Sequence, residues 1–332
     1  MSASNYQVLF VEQGVVNVQE CEMPEAGAGE LLVRGRLSLI SPGTERAFLL
    51  GLANTSPHYP QPTGYSHIGE IVAVGAGVEG WEVGDRVASQ ANHRLYATPR
   101  VELCSRVPAG LPDERAAFFR LISIAMQAVR KARIELGEPV AVIGCGLIGL
   151  LAMQLARLNG GLPVASIDKD ADRLGFAESL NADVVLPADE GLKTALRERF
   201  QGEEPAVVFE ATGHPEAIPT AFDLARFGGR VVLLGSTRGE TEAVNFYRDV
   251  HKKGLTVLGA HESARPRHDS APGWWTHQAD QATALKLLAA GRLVVDPLTT
   301  HRFDWRDAAS AYAMLMRWEP GMLGTILDWQ AA

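Results

Sequence analysis

A glycine-rich hexapeptide, Gly144-Cys145-Gly146-Leu147-Ile148-Gly149, stands between an apolar run, Val140 to Ile143, and a stretch of helical apolar spacing that continues to Leu158. Few folds accept that order. After a strand and before a helix, the first glycine permits a tight turn, the second lets backbone approach a pyrophosphate, and the third lets helix and strand pack closely. Phosphate charge then meets the unpaired N–H groups and the positive dipole end at the helix N-terminus, where Leu147 and Ile148 stand. The next apolar run ends in Ile167-Asp168, near the ~20-residue offset at which a carboxylate accepts from the adenosine ribose hydroxyls. A carboxylate there bonds the 2′-hydroxyl of NAD and repels the extra phosphate of NADP, so NAD is the expected cofactor. Lys169 and Arg173 sit close by as cations that either tolerate a phosphate or solvate a helix start. Two later strand ends, Glu210-Ala211-Thr212-Gly213 and Leu234-Gly235-Ser236, fall beyond the carboxyl ends of strands, where parallel sheets hold their ligands, and add Thr212, Gly213, Gly235 and Ser236 to the candidate cofactor contacts.

Around this motif the chain keeps a βαβ rhythm, with strands at Val140–Ile143, Val164–Ile167, Val184–Leu186, Ala206–Glu210, Arg230–Leu234 and Thr256–Leu258 and helices between them, the pattern of a doubly wound parallel sheet. The first hundred residues read differently. Short β-type runs at Gln7–Glu12, Leu31–Ile40, Gly69–Val74, Arg86–Ser89 and Arg94–Thr98 alternate with Gly and Pro, which suggests an all-β, barrel-like module. Helical spacing from Asp113, an expected N-cap, through Arg133 bridges the two. The tail returns to a helix at Asp280–Ala290, a strand at Leu298–Phe303, a helix at Trp305–Met316 and a strand at Gly324–Asp328. The expected fold is therefore α/β, with residues 1–136 as a β-rich module, 137–264 as the dinucleotide domain and 265–332 returning to the first module.

Composition narrows the partners. Thirty-one basic against thirty-nine acidic side chains give a net charge of −8 over 332 residues, and no Lys/Arg block exists to track a phosphate backbone, so nucleic acid is not expected. No apolar run reaches the roughly 20 residues that cross a bilayer, and the first residues lack the basic and apolar regions of a signal peptide, which implies no membrane and a cytoplasmic protein. Cys21, Cys104 and Cys145 are widely spaced, so reduced thiols are expected rather than a disulfide framework or thiolate metal cluster.

Taken together, Gly43-Thr44-Glu45, Gly64 followed by Gly69-Glu70-Ile71-Val72-Ala73-Val74-Gly75, Val83-Gly84-Asp85-Arg86-Val87, the glycine motif and Asp168 resemble the medium-chain dehydrogenase/reductase superfamily over nearly the whole chain. The resemblance implies a GroES-like catalytic module and a Rossmann domain, with substrate and nicotinamide held in a cleft between them. Zinc-dependent members carry Cys-Gly-Thr-Asp and Gly-His-Glu where this chain has Pro42-Gly43-Thr44-Glu45 and Gly64-Tyr65-Ser66. A third ligand position falls by similarity near Arg120, and the four-cysteine structural zinc lobe is reduced to Cys104. The resemblance thus points to a zinc-free branch that includes sugar, polyol and bacteriochlorophyllide-type dehydrogenases, with no metal expected. A displaced site on His67, Glu70 and His93 is the competing possibility, although i,i+3 residues on a strand face opposite sides.

Without a metal, the alcohol proton must leave through a side chain while hydride goes to the nicotinamide. Tyr65, at a former ligand position, can donate to and accept from a substrate oxygen, or it simply fills the space of the metal. Thr44 matches the position whose hydroxyl begins the family's proton relay. Glu45 matches a carboxylate behind the metal and is expected to pair with Arg120. His93 lies by resemblance in the strand lining the substrate pocket and exchanges protons near neutral pH; Ser66 and His67 have weaker cases, and the histidine that ends the relay aligns with Ala47. The leading reading is NAD-dependent oxidation of a secondary alcohol on a hydroxyl-rich small molecule, a sugar, polyol or cyclic alcohol. A zinc-free enone or quinone reductase and a non-catalytic NAD(H) sensor compete with it. The stretch His261 to Trp275, with Arg265, Arg267, His268, Trp274 and Trp275, either lines the substrate mouth or is a surface loop, and adjacent indoles there are expected to cover at least one face. By resemblance, a homodimer or homotetramer pairing near Thr256–Leu258 is expected.

Overall fold

The computed structural model describes residues 4–56 and 58–330. The chain divides into two compact units. One comprises the chain up to Arg120, His277–Gly291 and the part from Leu298 onward; the other comprises Leu121–Thr276 and Arg292–Pro297.

In the second unit six strands lie parallel in the order Val184–Pro187, Val164–Asp168, Val140–Ile143, Val207–Glu210, Arg230–Leu233, Thr256–Gly259. The chain leaves Val140–Ile143 in opposite directions toward its two neighbours, so the crevice where such sheets bind ligands opens at that strand's carboxyl end. All four residues of Val140–Ile143 and of Val207–Glu210 are buried, because helices cover both faces and no polar side is needed. The helix Phe119–Ala132 packs with this unit from Leu121 onward, where the sequence placed it with the first module. Its Ile122, Ala125, Ala128, Val129 and Ala132 are buried, and Gln127 Nε2 donates to the Ala260 carbonyl at 2.7 Å.

The first unit is built on a seven-stranded mixed sheet that runs Thr299–Asp304, Gly324–Asp328, Leu31–Ile40, His67–Val74, Arg86–Ser89, Cys104–Arg106, with Tyr96–Ala97 also paired to Leu31–Ile40. A smaller sheet of Asn5–Glu12, Val15–Cys21 and Gln61–Pro62 stands beside it. One of its cores joins Phe10, Ile40, Leu49, Tyr312 and the stacked pair Trp305 and Trp329, whose ring centroids are 5.4 Å apart.

Several local expectations need correction. The spacing from Asp113 predicted one helix, but the structure has Asp113–Ala116 and then Phe119–Ala132. Pro112, not Asp113, is the N-cap, and the Asp113 carboxylate is taken by Arg36 at 2.6 Å and Arg86 at 2.9 Å. Helices at Pro42–Leu49 and Leu192–Arg199 and the strand Val15–Cys21 were not read from the sequence.

Candidate active site

The glycine loop folds as its spacing requires. Gly144 has φ +99°, and a Cβ on Gly149 would sit 1.7 Å from the Gly144 carbonyl oxygen, so neither position accepts a side chain without displacement of the backbone. At Gly146, the N-cap of Leu147–Leu158, a Cβ would meet nothing within 4 Å, and no side chain caps the helix. The first N–H groups of that helix are thus left beside open space of the kind a diphosphate fills. The Asp168 carboxylate accepts from Cys145 N at 2.6 Å and from Asp170 N at 3.0 Å, which fixes it at the edge of the loop. Lys169 is exposed, and Arg173 pairs with Asp170 at 3.9 Å.

The two later turns close on the same loop. A Cβ at Gly144 would lie 3.0 Å from Thr212 N, and one at Gly235 would lie 2.4 Å from Gly213 N; Ser236 is exposed beside them. Glu210 organises this junction, since its Oε1 accepts from Thr212 N at 2.7 Å, Thr212 Oγ1 at 2.5 Å and Gly213 N at 3.3 Å. Burial pushes the Glu210 carboxyl above its ordinary pKa despite those donors. Gly144, Gly146, Leu147, Ile148, Gly149, Asp168, Thr212, Gly213, Gly235 and Ser236 are therefore gathered at one end of one sheet, and the residues present fit a dinucleotide.

In the first unit, Glu45 is almost wholly buried on the helix Pro42–Leu49. Its Oε1 accepts from Ser41 N at 2.7 Å; its Oε2 accepts from Thr63 Oγ1 at 2.8 Å, from Tyr312 OH, and meets His93 Nε2 at 3.1 Å. Burial alone raises a carboxyl pKa, but the His93 charge and the bonds from His93, Tyr312 and Ser41 outweigh it, and Glu45 lies below its ordinary value. The expected Glu45–Arg120 pair is not among these contacts. His93 is also a correction. It has no exposed surface, with Nδ1 bonded to Ser38 Oγ at 2.7 Å, and Ser38 in turn accepts from Trp329 Nε1 at 2.8 Å. A Cβ on Gly64 would sit 2.5 Å from the His93 ring, so this histidine packs against backbone and is closed to substrate.

Tyr65 is only partly buried. Its hydroxyl donates to Ser41 Oγ at 2.5 Å, and the Thr44 hydroxyl also bonds the phenol. Burial pushes the phenol above its ordinary pKa, with Ser41, Thr44 and the Arg120 charge opposing and the Glu45 charge adding. The buried Arg120 guanidinium lies 5.7 Å from the centre of the Tyr65 ring, and its Nη1 is 3.4 Å from His277 Nδ1. Ser41 and His277 were given no role from the sequence: Ser41 opens the motif Ser41-Pro42-Gly43-Thr44-Glu45, which was its one signal, and His277 belongs to no motif.

The donor set at this position does not fit zinc. Zinc requires about four N, S or O donors, whereas a proline, a protonated phenol and a permanently cationic guanidinium stand at Pro42, Tyr65 and Arg120. The displaced alternative is not assembled: His67 Nε2 bonds the Arg94 carbonyl at 3.1 Å, Glu70 pairs with Arg36 at 3.5 Å, and His93 serves Glu45 and Ser38. Among the described residues no group of three or more His, Cys, Asp or Glu is placed to hold a metal. Cys104 is a lone buried thiol, pushed up to about 12 by burial. Ser66 Oγ donates to the Ala117 carbonyl at 2.6 Å.

The loop from His261 to Trp275 belongs to the second unit. Trp275 stacks under Arg130 at 3.8 Å and Trp274 under Lys131 at 4.6 Å, while Arg265 is buried against Glu262 and the Ser123 carbonyl. Arg267 and His268 are exposed.

Comparison with known proteins agrees with this architecture. Residues 27–121 match the family model for the alcohol dehydrogenase GroES-like domain, and residues 148–273 match that for zinc-binding dehydrogenase. L-galactonate-5-dehydrogenase of Escherichia coli (strain K12) is 27% identical over 340 residues, 90% of this chain and 94% of that protein. Sorbitol dehydrogenase of Halalkalibacterium halodurans is 28% identical over 292 residues, 77% of this chain and 81% of that protein. The crystal structure of galactitol-1-phosphate dehydrogenase from Escherichia coli superposes with a TM-score of 0.84 at 23% identity, covering 97% of this chain and 99% of that one. The chain belongs to the medium-chain dehydrogenase/reductase superfamily and is an oxidoreductase of the alcohol dehydrogenase type.

Proposed function

We propose that the protein oxidises a secondary alcohol of a hydroxyl-rich small molecule, a sugar, polyol or cyclic alcohol, with NAD and without zinc. The observation that carries this reading is the replacement of the metal's donors by a cation and a phenol in contact: Arg120 over the ring of Tyr65, with Ser41 and Thr44 on its hydroxyl. NAD supplies the hydride acceptor when bound. Asp168 supports NAD over NADP, because its charge repels a 2′-phosphate. Tyr65 holds the reacting hydroxyl of the substrate, Thr44 offers a second hydroxyl to it, and the alcohol proton passes to solvent water beside the partly exposed phenol as the hydride goes to NAD. The Arg120 charge favours negative charge developing near the phenol, as a cation in a water-poor site does. Glu45 and His93 act from below by fixing the helix that carries Thr44. The named substrates of the sorbitol and L-galactonate relatives support a polyol or sugar-acid ligand.

The same reading includes a cytoplasmic homodimer or homotetramer. Thr256–Gly259 supports the assembly, being the last strand of its sheet with Val257 exposed; sedimentation tests it, and a monomer at micromolar concentration refutes it. No helix among the described residues is long and apolar enough to cross a membrane.

The deciding experiment is NADH formation from NAD with sorbitol, L-galactonate and cyclic alcohols in the presence of a strong chelator, for the wild type and Tyr65→Phe. Chelator-resistant turnover, slowed about 100-fold in Y65F, is expected. Turnover restored only by added zinc refutes the metal-free reading, and activity confined to enones or quinones with NADPH replaces it with the reductase.

A further inference from the structure

We propose that Ser41 is a positioning residue for this reaction: its Oγ holds the Tyr65 hydroxyl proton and so leaves the phenol's lone pair that Thr44 does not occupy to the substrate hydroxyl. The inference rests on the reading of Tyr65 given above. Ser41 is the N-cap of Pro42–Leu49, with extended backbone at φ −90° and ψ 95°, yet its side chain makes no cap bond. A serine at that position ordinarily accepts from the second or third N–H of the helix, and forgoing the bond costs helix stability. Here the oxygen is 2.5 Å from Tyr65 OH instead. Local rules broken without local compensation are expected where a residue serves a site.

Ser41 is also fixed at both ends of its main chain. Its N–H donates to Glu45 Oε1 at 2.7 Å, and its carbonyl accepts from Glu45 N at 2.9 Å. The Glu45 carboxylate is in turn anchored by Thr63, His93 and Tyr312. The buried polar network thus gives a rigid seat to one serine hydroxyl. Ser41 is 5% exposed, so water does not compete for that oxygen. A phenol donates one hydrogen bond and accepts at its lone pairs. Once Ser41 takes the proton, Tyr65 faces an alcohol as an acceptor, the role that orients the O–H of a substrate about to be oxidised. Without Ser41 the phenolic hydrogen rotates and competes for the same alcohol oxygen.

The test combines a spectroscopic and a kinetic readout on the full chain. With tyrosine labelled by 13C at Cζ and the Tyr65 resonance assigned from Tyr65→Phe, Ser41→Ala and Ser41→Gly are expected to shift that resonance alike, and Ser41→Thr to restore it. In chelator-treated assays with sorbitol or L-galactonate and NAD, both variants are expected to lower kcat about 10-fold, the worth of one oriented hydrogen bond, with KM within about twofold. Combined with Tyr65→Phe, neither is expected to add a further loss. An unmoved resonance overturns the proposal, as does an equal loss in the Y65F background. A much milder effect of glycine than of alanine also overturns it, since glycine is tolerated at an N-cap and that ranking is the signature of a structural cap. Normal turnover by Y65F refutes the earlier reading of Tyr65, a separate result that the resonance shift does not share.

Discussion

The two polar centres of this protein are built by opposite means. In the second unit the contacts expected to hold the dinucleotide are mostly backbone: glycines at 144, 146 and 149, turns at 211–213 and 235–236, and one carboxylate, Asp168, that ties loop to strand end. In the first unit the site is made of side chains brought from far apart, with Glu45, Thr63, His93 and Tyr312 meeting in one buried cluster and Tyr65 resting on Ser41 and against Arg120. A backbone site is specified by what must be absent, a Cβ, and is written in consecutive residues. A side-chain site is specified by which partners satisfy one another, and its members can be scattered through the chain.

The difference can be pressed by substitution. Gly149→Val has the largest expected effect, because its Cβ alone meets the Gly144 carbonyl oxygen at 1.7 Å; NADH binding followed by fluorescence should fall more than about 100-fold, and near-normal affinity would break the backbone account. Glu45→Ala should follow. It strips a buried acceptor from four donors, at a cost of about 1–3 kcal/mol for each donor left unsatisfied, read as a lower denaturation midpoint of the first unit while NADH binding persists. Loss of both properties together would show that the centres are not separable.

Acid should expose the first unit before it disturbs the second. Burial lowers His67 to about 4 from 6.5, even though its Nε2 bonds the Arg94 carbonyl. The folded state thus keeps this histidine neutral while the unfolded chain protonates near 6.5. Its contribution is complete above that value and is lost as pH falls from 6.5 to about 4, by about 3 kcal/mol in all. Urea midpoints measured across that window should decline in the wild type and decline less in His67→Gln; identical slopes would remove His67 as the cause. Glu45 acts in the same direction but lower, since its depressed pKa holds stability above the ordinary carboxyl range and releases it only in stronger acid. The smallest effect sharpens cofactor choice: Asp168→Ser should weaken NAD binding about tenfold, near 1.4 kcal/mol, and narrow the gap to NADP, whereas a wild type that prefers NADP would show that Lys169 and Arg173 govern the pocket.

The unevenness of what could be read beforehand follows from the same contrast. The strands Leu31–Ile40, Arg86–Ser89, Val140–Ile143 and Gly324–Asp328 have the bounds expected from apolar pattern. The helix Pro42–Leu49 was missed because Pro and Gly at its start read as a turn, and the break after Ala116 was missed because apolar spacing continues across it. Tyr65, Thr44 and Arg120 were singled out through their places in motifs, and the structure brings the three side chains together. The assignment of Glu45 to Arg120 failed because it supposed that opposite charges pair, whereas the carboxylate found His93 and two hydroxyls nearer in space. His93 itself was expected to line the substrate pocket and is wholly buried between Ser38 and Glu45.

The chain's consecutive residues determined the glycine loop, its sheet and the presence of Pro42 at the head of its helix, since each depends on short-range stereochemistry: a glycine where no side chain fits, a period that buries one face, a proline at the first helical position. Only the tertiary structure decided which polar groups meet, that Glu45 belongs to His93 and Tyr312, that Ser41 Oγ accepts from Tyr65 rather than from its own helix, and that His277 joins Arg120. Those choices are set by burial, where every donor and acceptor removed from water must find a partner within about 3 Å, and the partner that satisfies it is selected by packing and not by sequence distance.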